Sequence, residues 1–195
     1  MKNSSELGDA IETAASWFTA ICIEQPTWIE TEPAAEVLKS LPPNGRAAAA
    51  RVLWQKMEGA GAGSDTLWRE RIGPWLRNTW PRNLALRHPD ASRDIAVAAL
   101  RTDTEFPSAV SLILEIIGHA DLSLVAWQLD QSKSKHSQNH PRELLRLLSA
   151  LLDPAVQLHD RKLRTVLEEI SAACTACTDG PEYRKIDECL LKQGL

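Results

Sequence analysis

Aromatic rings other than indole are almost missing: 195 residues include one tyrosine and two phenylalanines. Strands favour aromatic and β-branched side chains, and no segment alternates apolar with polar residues beside a hairpin turn, so a sheet protein is excluded first. No apolar run approaches the roughly 20 residues that cross a bilayer. The opening MKNSSELGDAIE has no basic-then-apolar signal pattern. These absences lead us to expect a cytoplasmic chain without membrane contact. Catalytic motifs are missing as well. GAGAG at 59–63 has neither the strand before it nor the lysine after it that a phosphate-binding loop needs. HExxH, GxSxG and an EF-hand loop are absent. The sequence therefore assigns no catalytic residue and no cofactor, and the expectation is a protein that is not an enzyme.

Alanine and leucine dominate what is present, and they favour helix. NSSELGDAIETAASWFTAICIE carries Leu7, Ile11, Ala14, Ala15, Phe18, Ile21 and Cys22 at helical spacing. TEPAAEVLKSL starts near Pro33 and stops at Pro42-Pro43. NGRAAAARVLWQKMEG sets Val52, Leu53 and Met57 on one side. HPDASRDIAVAALRT and TEFPSAVSLILEIIGHADLSLVAWQL supply two or three more helices, and DQSKSKHSQNH (130–140) reads as a loop. PRELLRLLSALLD buries Leu144, Leu145, Leu148, Leu151 and Leu152. HDRKLRTVLEEISAACTAC extends one stripe through Leu163, Val166, Leu167, Ile170, Cys174 and Cys177. GPEYRKIDECLLKQ closes the series. His88-Pro89 and His140-Pro141, 52 residues apart, each read as a cap followed by first-turn proline.

The fold expectation is all-α: nine to eleven helices in helix-turn-helix pairs, stacked as a HEAT-like array or a compact bundle. Residues 1–195 form a single helical domain, with a candidate hinge at 59–64 separating 1–58 from 65–195.

Charge is uneven. Residues 1–40 carry seven acids and two bases, 41–101 ten bases and five acids, and 102–195 fourteen acids and ten bases. A basic centre between acidic ends either faces an anionic partner, or lies against the acidic ends within the molecule or simply sits in water; the second, bland reading is preferred.

Four cysteines, Cys22, Cys174, Cys177 and Cys189, are expected reduced in the cytoplasm. Cys174 and Cys177 on an apolar stripe behave as small hydrophobes, with Cys174 buried among leucine and isoleucine. The alternative reading completes a metal site or redox pair from this CxxC, with Cys189 as third ligand and His159 or Cys22 as fourth. His159-Asp160 also invites comparison with the HD phosphohydrolases, with His119 and Asp187 standing in for the remaining ligands. Arg161-Lys162 after the doublet and the nearness of Asp187 fit that family poorly, and a helix start explains the pair better.

LWRERIGPWLRNTWPR, Leu67 to Arg82, holds three tryptophans and four arginines in sixteen residues. Read as a helix, a break at Gly73-Pro74 and a second helix, it sets Trp68, Trp75 and Trp80 at a helix-pair junction. Arg69, Arg77 and Arg82 then point outward. Trp and Arg are also the residues of interface hot spots, so Arg69, Trp75, Arg77, Trp80 and Arg82 are the candidate binding residues. Together with FPSAVSLILEIIG, this stretch resembles helical-repeat segments at the C-terminal ends of large bacterial proteins, some from anti-phage defence systems. The resemblance covers about residues 65–155. It implies a module that recognises a protein partner while another domain acts, and it carries over no catalytic residue. The first alternative function is nucleic-acid binding by the basic segment 67–87, against which an acidic pI near 5.8 counts. The second is a metal-dependent helical hydrolase.

Overall fold

Proline and polar caps cut the chain into helices much as the sequence suggests. The computed structural model describes residues 2–83, 88–131, 135–153 and 162–192. Every regular element among them is helical. The first half comprises α1 (Lys2–Glu24), α2 (Thr31–Ser40), α3 (Pro43–Ala60), α4 (Ser64–Leu67) and α5 (Gly73–Thr79). The second comprises α6 (Pro89–Ala99), α7 (Phe106–Ile113), α8 (Leu122–Gln131), α9 (His136–Asn139), α10 (Pro141–Leu151), α11 (Lys162–Ala173), α12 (Thr175–Thr178) and α13 (Pro181–Lys192). Pro43, Pro89 and Pro141 each open a helix, where the missing N–H would have had no intrahelical partner. His88 and His140 sit at the N-caps before the latter two, so the repeated dipeptide has the local meaning read from the sequence.

The centre of the molecule is α6. Ile95 through Leu100 are all buried, because this second half of the helix is apolar on every side and the helix is surrounded by α3, α7, α8 and α10. Small side chains let the helices approach: Ala47–Ala50 are buried in α3, which packs against both α1 and α6. Further along, α10 and α11 bury the predicted leucine stripes against α7, α8, α9 and α13.

Leu53 and Met57, before the glycine-rich segment, share one buried cluster with Trp68, Ile72 and Ile95 beyond it. A continuous core therefore spans the candidate hinge. The segment itself forms a 3-10 turn (Gly61–Gly63), and Gly61 takes a positive φ of 51°, which a side chain would strain.

Two expectations fail locally. The break at Gly73-Pro74 does not occur; the helical path runs on from Ser64 to Thr79. Pro74 removes an N–H and its ring crowds the carbonyl four residues back. The chain absorbs this with a π-turn over Trp68–Ile72, closed by the Gly73 N–H on the Trp68 carbonyl. A Cβ at Gly73 would lie 3.1 Å from that carbonyl oxygen and 3.3 Å from Trp68 Nε1, so glycine allows a close approach that any side chain would crowd. The loop read over 130–140 contains a helical turn, α9. It buries His136, which stacks on Phe106 at 3.9 Å between ring centroids and places Nε2 3.1 Å from the Leu100 carbonyl. Its polar neighbours hid a core residue. Burial lowers the His136 pKa, the Leu100 carbonyl opposing, so the ring is neutral at pH 7.

Candidate interaction surfaces

The tryptophans of 67–82 lie inside. Trp68, Trp75 and Trp80 are 2%, 8% and 7% exposed, and Trp75 meets Trp80 edge-on at 5.9 Å. Their helix packs against α1, α2 and α7. Beside Trp75 lies a small cavity of about 120 Å³, lined by Cys22, Ile29, Arg71 and Thr79 among others.

The arginines of the same stretch stay outside, but two are held by acids. Arg69 Nη1 lies 3.3 Å from Glu105 Oε1, and Arg82 Nη1 lies 3.0 Å from Glu115 Oε2. Arg77 is exposed with no charged partner among the described residues. Arg71 donates to the Glu24 carbonyl at 3.3 Å. The remaining basic centre follows suit: Lys56 pairs with Glu24, Arg101 with Glu58 at 2.9 Å, and Arg93 with Asp90 and Asp94 at 3.0 and 2.8 Å. Arg51 lies 3.9 Å from the fully buried Asp94, whose pKa burial raises against the pull of both arginines. Positive charge in the middle of the sequence is thus largely answered within the molecule. That is one form of the preferred reading of the charge pattern.

Asp65 fixes the junction. Its carboxylate accepts from the Asp103, Thr104 and Glu105 amides at 2.8, 3.0 and 3.3 Å and from the Thr104 hydroxyl at 2.7 Å. It thereby ties α4 to the turn that starts α7. Burial works to raise the Asp65 pKa, but these hydrogen bonds outweigh it and hold the carboxyl below its ordinary value.

The sequence missed a different surface. Along α1, Ala15, Cys22 and Ile23 face the core, while Leu7, Trp17 and Ile21 face outward. Trp28 follows in the turn after α1, and Val37 lies on the outer side of α2. Trp17 and Trp28 are each 71% exposed. The stripe read from the sequence mixed both sides of α1, because that helix is apolar on both. Exposed carboxylates accompany this face: Glu6, Asp9, Glu30 and Glu32, with Glu36 bound to Lys39 at 2.7 Å.

The cysteine expectations need correction. Cys174 and Cys177 are joined in a disulfide, while Cys22 and Cys189 are unbridged and buried. Cys174 is half-buried rather than buried, and Cys177 is the one in the core. The reason is where α11 ends. It stops at Ala173, and Cys174 leaves the helix with φ −146° and ψ 85° before α12 begins. Extending the 3.6-residue stripe past that point misplaced Cys174. Of the hydrolase candidates, His159-Asp160 lies outside the described residues. His119 sits 3.8 Å from Asp153, and Asp187 binds Arg164 at 2.6 Å. No metal-binding cluster occurs among the described residues. No helix of the described residues is long and apolar enough to cross a membrane.

Compared with known family models, curated proteins and solved structures, the chain finds no match.

Proposed function

We propose that this chain is a helical protein-recognition module, a subunit or segment of a larger bacterial assembly, and that it docks its partner on the outer face of α1 and α2. The observation that carries the reading is the 71% exposure of Trp17 and of Trp28. Indole rings are large and apolar, and a protein that buries three of them at one junction has the means to bury more. Exposed apolar side chains grouped in one segment mark interaction sites. Tryptophan is also the residue that most often dominates interface energetics.

The charge of residues 1–40 chooses the partner's chemistry. The segment that carries Leu7, Trp17, Ile21 and Trp28 holds seven acids against two bases, and Glu6, Asp9, Glu30 and Glu32 among the acids are exposed. A second copy would bring this acidic segment onto itself in a two-fold contact. Anionic lipid headgroups would be repelled for the same reason. A basic amphipathic helix from another protein meets both the apolar side chains and the carboxylates. Nucleic acid is disfavoured on this face by its sign, and around Arg69 and Arg82 it would have to displace Glu105 and Glu115.

The test is a fluorescence titration of the full chain with a synthetic leucine–lysine amphipathic helix, and with a leucine–glutamate counterpart. The lysine peptide is expected to blue-shift tryptophan emission, to bind more weakly as salt rises, and to lose at least about tenfold in affinity in a Trp17→Ala, Trp28→Ala double variant, equivalent to about 1.4 kcal/mol. Equal binding of the glutamate peptide, or undiminished binding by the variant, overturns the proposal. So does self-association of the parent chain that the same double variant abolishes.

A further inference from the structure

We infer that Cys174 and Cys177 form a reversible two-electron thiol–disulfide exchange site, entered through Cys174 by an attacking thiol of a small or protein dithiol. Three observations support this, and none depends on the docking face. The first is placement. Cys174 closes α11 with its N–H on the Ile170 carbonyl at 2.8 Å, and Cys177 returns its own N–H to the Cys174 carbonyl at 2.9 Å. The single turn of α12 therefore holds both cysteines together by backbone hydrogen bonds that do not need the S–S bond. The second is asymmetry. Cys174 is half-buried between exposed Ala173 and Thr175, whereas Cys177 is buried with Ile186, Cys189 and Leu190 in the core cluster. Cys174 is the more exposed residue of the pair and Cys177 lies behind it as the resolving partner, the arrangement that makes a cysteine pair reversible. The third is loop length. The bond spans a separation of three residues. Cross-links stabilise by constraining the unfolded chain, and the shortest loops gain least. As a staple for the fold, this disulfide has little to do.

The chemistry balances as follows. A thiolate of the dithiol attacks Cys174 Sγ; the Cys174–Cys177 bond breaks, and Cys177 leaves as a thiolate that takes up a proton. The mixed disulfide on Cys174 is then attacked by the dithiol's second sulfur. That step forms the reductant's own disulfide and releases the Cys174 thiolate, which is protonated in turn. Two electrons and two protons pass from the dithiol to the pair. The reverse sequence, with a disulfide oxidant, closes the bond again.

The experiment uses the full chain, with glutathione and dithiothreitol as probes and iodoacetamide labelling read by mass spectrometry. After equilibration with oxidised glutathione, Cys174 and Cys177 are expected to resist labelling. After dithiothreitol Cys174 should label in the folded protein, with helical circular dichroism unchanged, and Cys177 should label once that reduced chain is denatured. In Cys177→Ser, oxidised glutathione should trap a mixed disulfide on Cys174 at least tenfold faster than it modifies Cys177 in Cys174→Ser. A bond that reduces only in denaturant would be a structural disulfide and would overturn the inference. Thiols that never close under oxidised glutathione, or equal trapping in the two variants, would also overturn it. Should Cys177→Ser fail to fold, rapid acid quenching of the parent chain during exchange tests the same point: glutathione on Cys174 supports the inference, and glutathione on Cys177 refutes it.

Discussion

Trp68 and Trp17 are the same residue type on helices of one molecule, and they meet opposite fates. The first is enclosed with Trp75 and Trp80 where the middle helices meet α1, α2 and α7; the second stands in solvent with Trp28 on the acidic side. Around the buried trio every device of a settled interior is present. Gly73 makes room for an indole, Asp65 satisfies a turn, and Glu105 and Glu115 hold the flanking arginines. Around Trp17 and Trp28 there is apolar surface, carboxylates and no cover among the described residues. A tryptophan-rich sequence therefore announces burial or recognition, and only the neighbours decide which.

The sharpest way to break this contrast is to truncate a ring on each side. Trp68→Ala should cost about 3–5 kcal/mol, because transfer energy is lost and a cavity remains in a close-packed junction. Chemical denaturation of the variant measures it. A loss below about 1 kcal/mol would mean that the middle region repacks freely and is no more fixed than the N-terminal face.

Asp65 tests whether the middle region is held by specific contacts as well as by bulk. Asp65→Ala should remove about 1–2 kcal/mol at neutral pH, the size of a lost helix cap. Its folded pKa lies below the unfolded value of about 3.9, so its contribution is complete above that value and is lost as pH falls through the folded pKa. The stability gap between parent and variant should accordingly narrow in acid, as followed by urea titrations across pH. A gap independent of pH would assign the effect to packing alone.

Least should happen to stability on the other side. Trp17→Ala ought to stay within about 0.5 kcal/mol of the parent, as substitutions at exposed positions do. A melting curve checks it. A large loss would show that the ring is part of the fold, and the docking proposal would lose its main support.

Long single-faced stripes were legible in the sequence. Leu144, Leu148 and Leu151, and Leu163, Val166, Leu167 and Ile170, are buried as their spacing requires. The junction role of Trp68, Trp75 and Trp80 was legible too, since indole size and outward arginines leave few arrangements. What failed was whatever depended on an endpoint or on a neighbour. Pro74 was read by its local habit of breaking helices, and the π-turn that accommodates it has no sequence signature of its own. Cys174 was placed by extrapolating a period beyond the last residue to which it applies. His136 sits among polar letters but is buried by Phe106, thirty residues earlier in the chain. Trp17 lies on a helix with apolar residues on both its core and solvent sides, where spacing alone cannot tell inside from outside.

The π-turn over Trp68–Ile72 also sets the phase of everything that follows it. One extra residue in a helical turn advances the rest of the helix by about 100°. Trp75, Leu76 and Thr79 face inward only with that offset in place. Excising a single residue here would keep the composition nearly intact but remove the accommodation for Pro74. It would also turn α5 like a miscut gear, carrying its two buried apolar residues out of mesh with α2 and α7 and leaving Trp80 to enter from the wrong side. For the evolution of this chain, the segment is a place where a change in length displaces every buried residue that follows it.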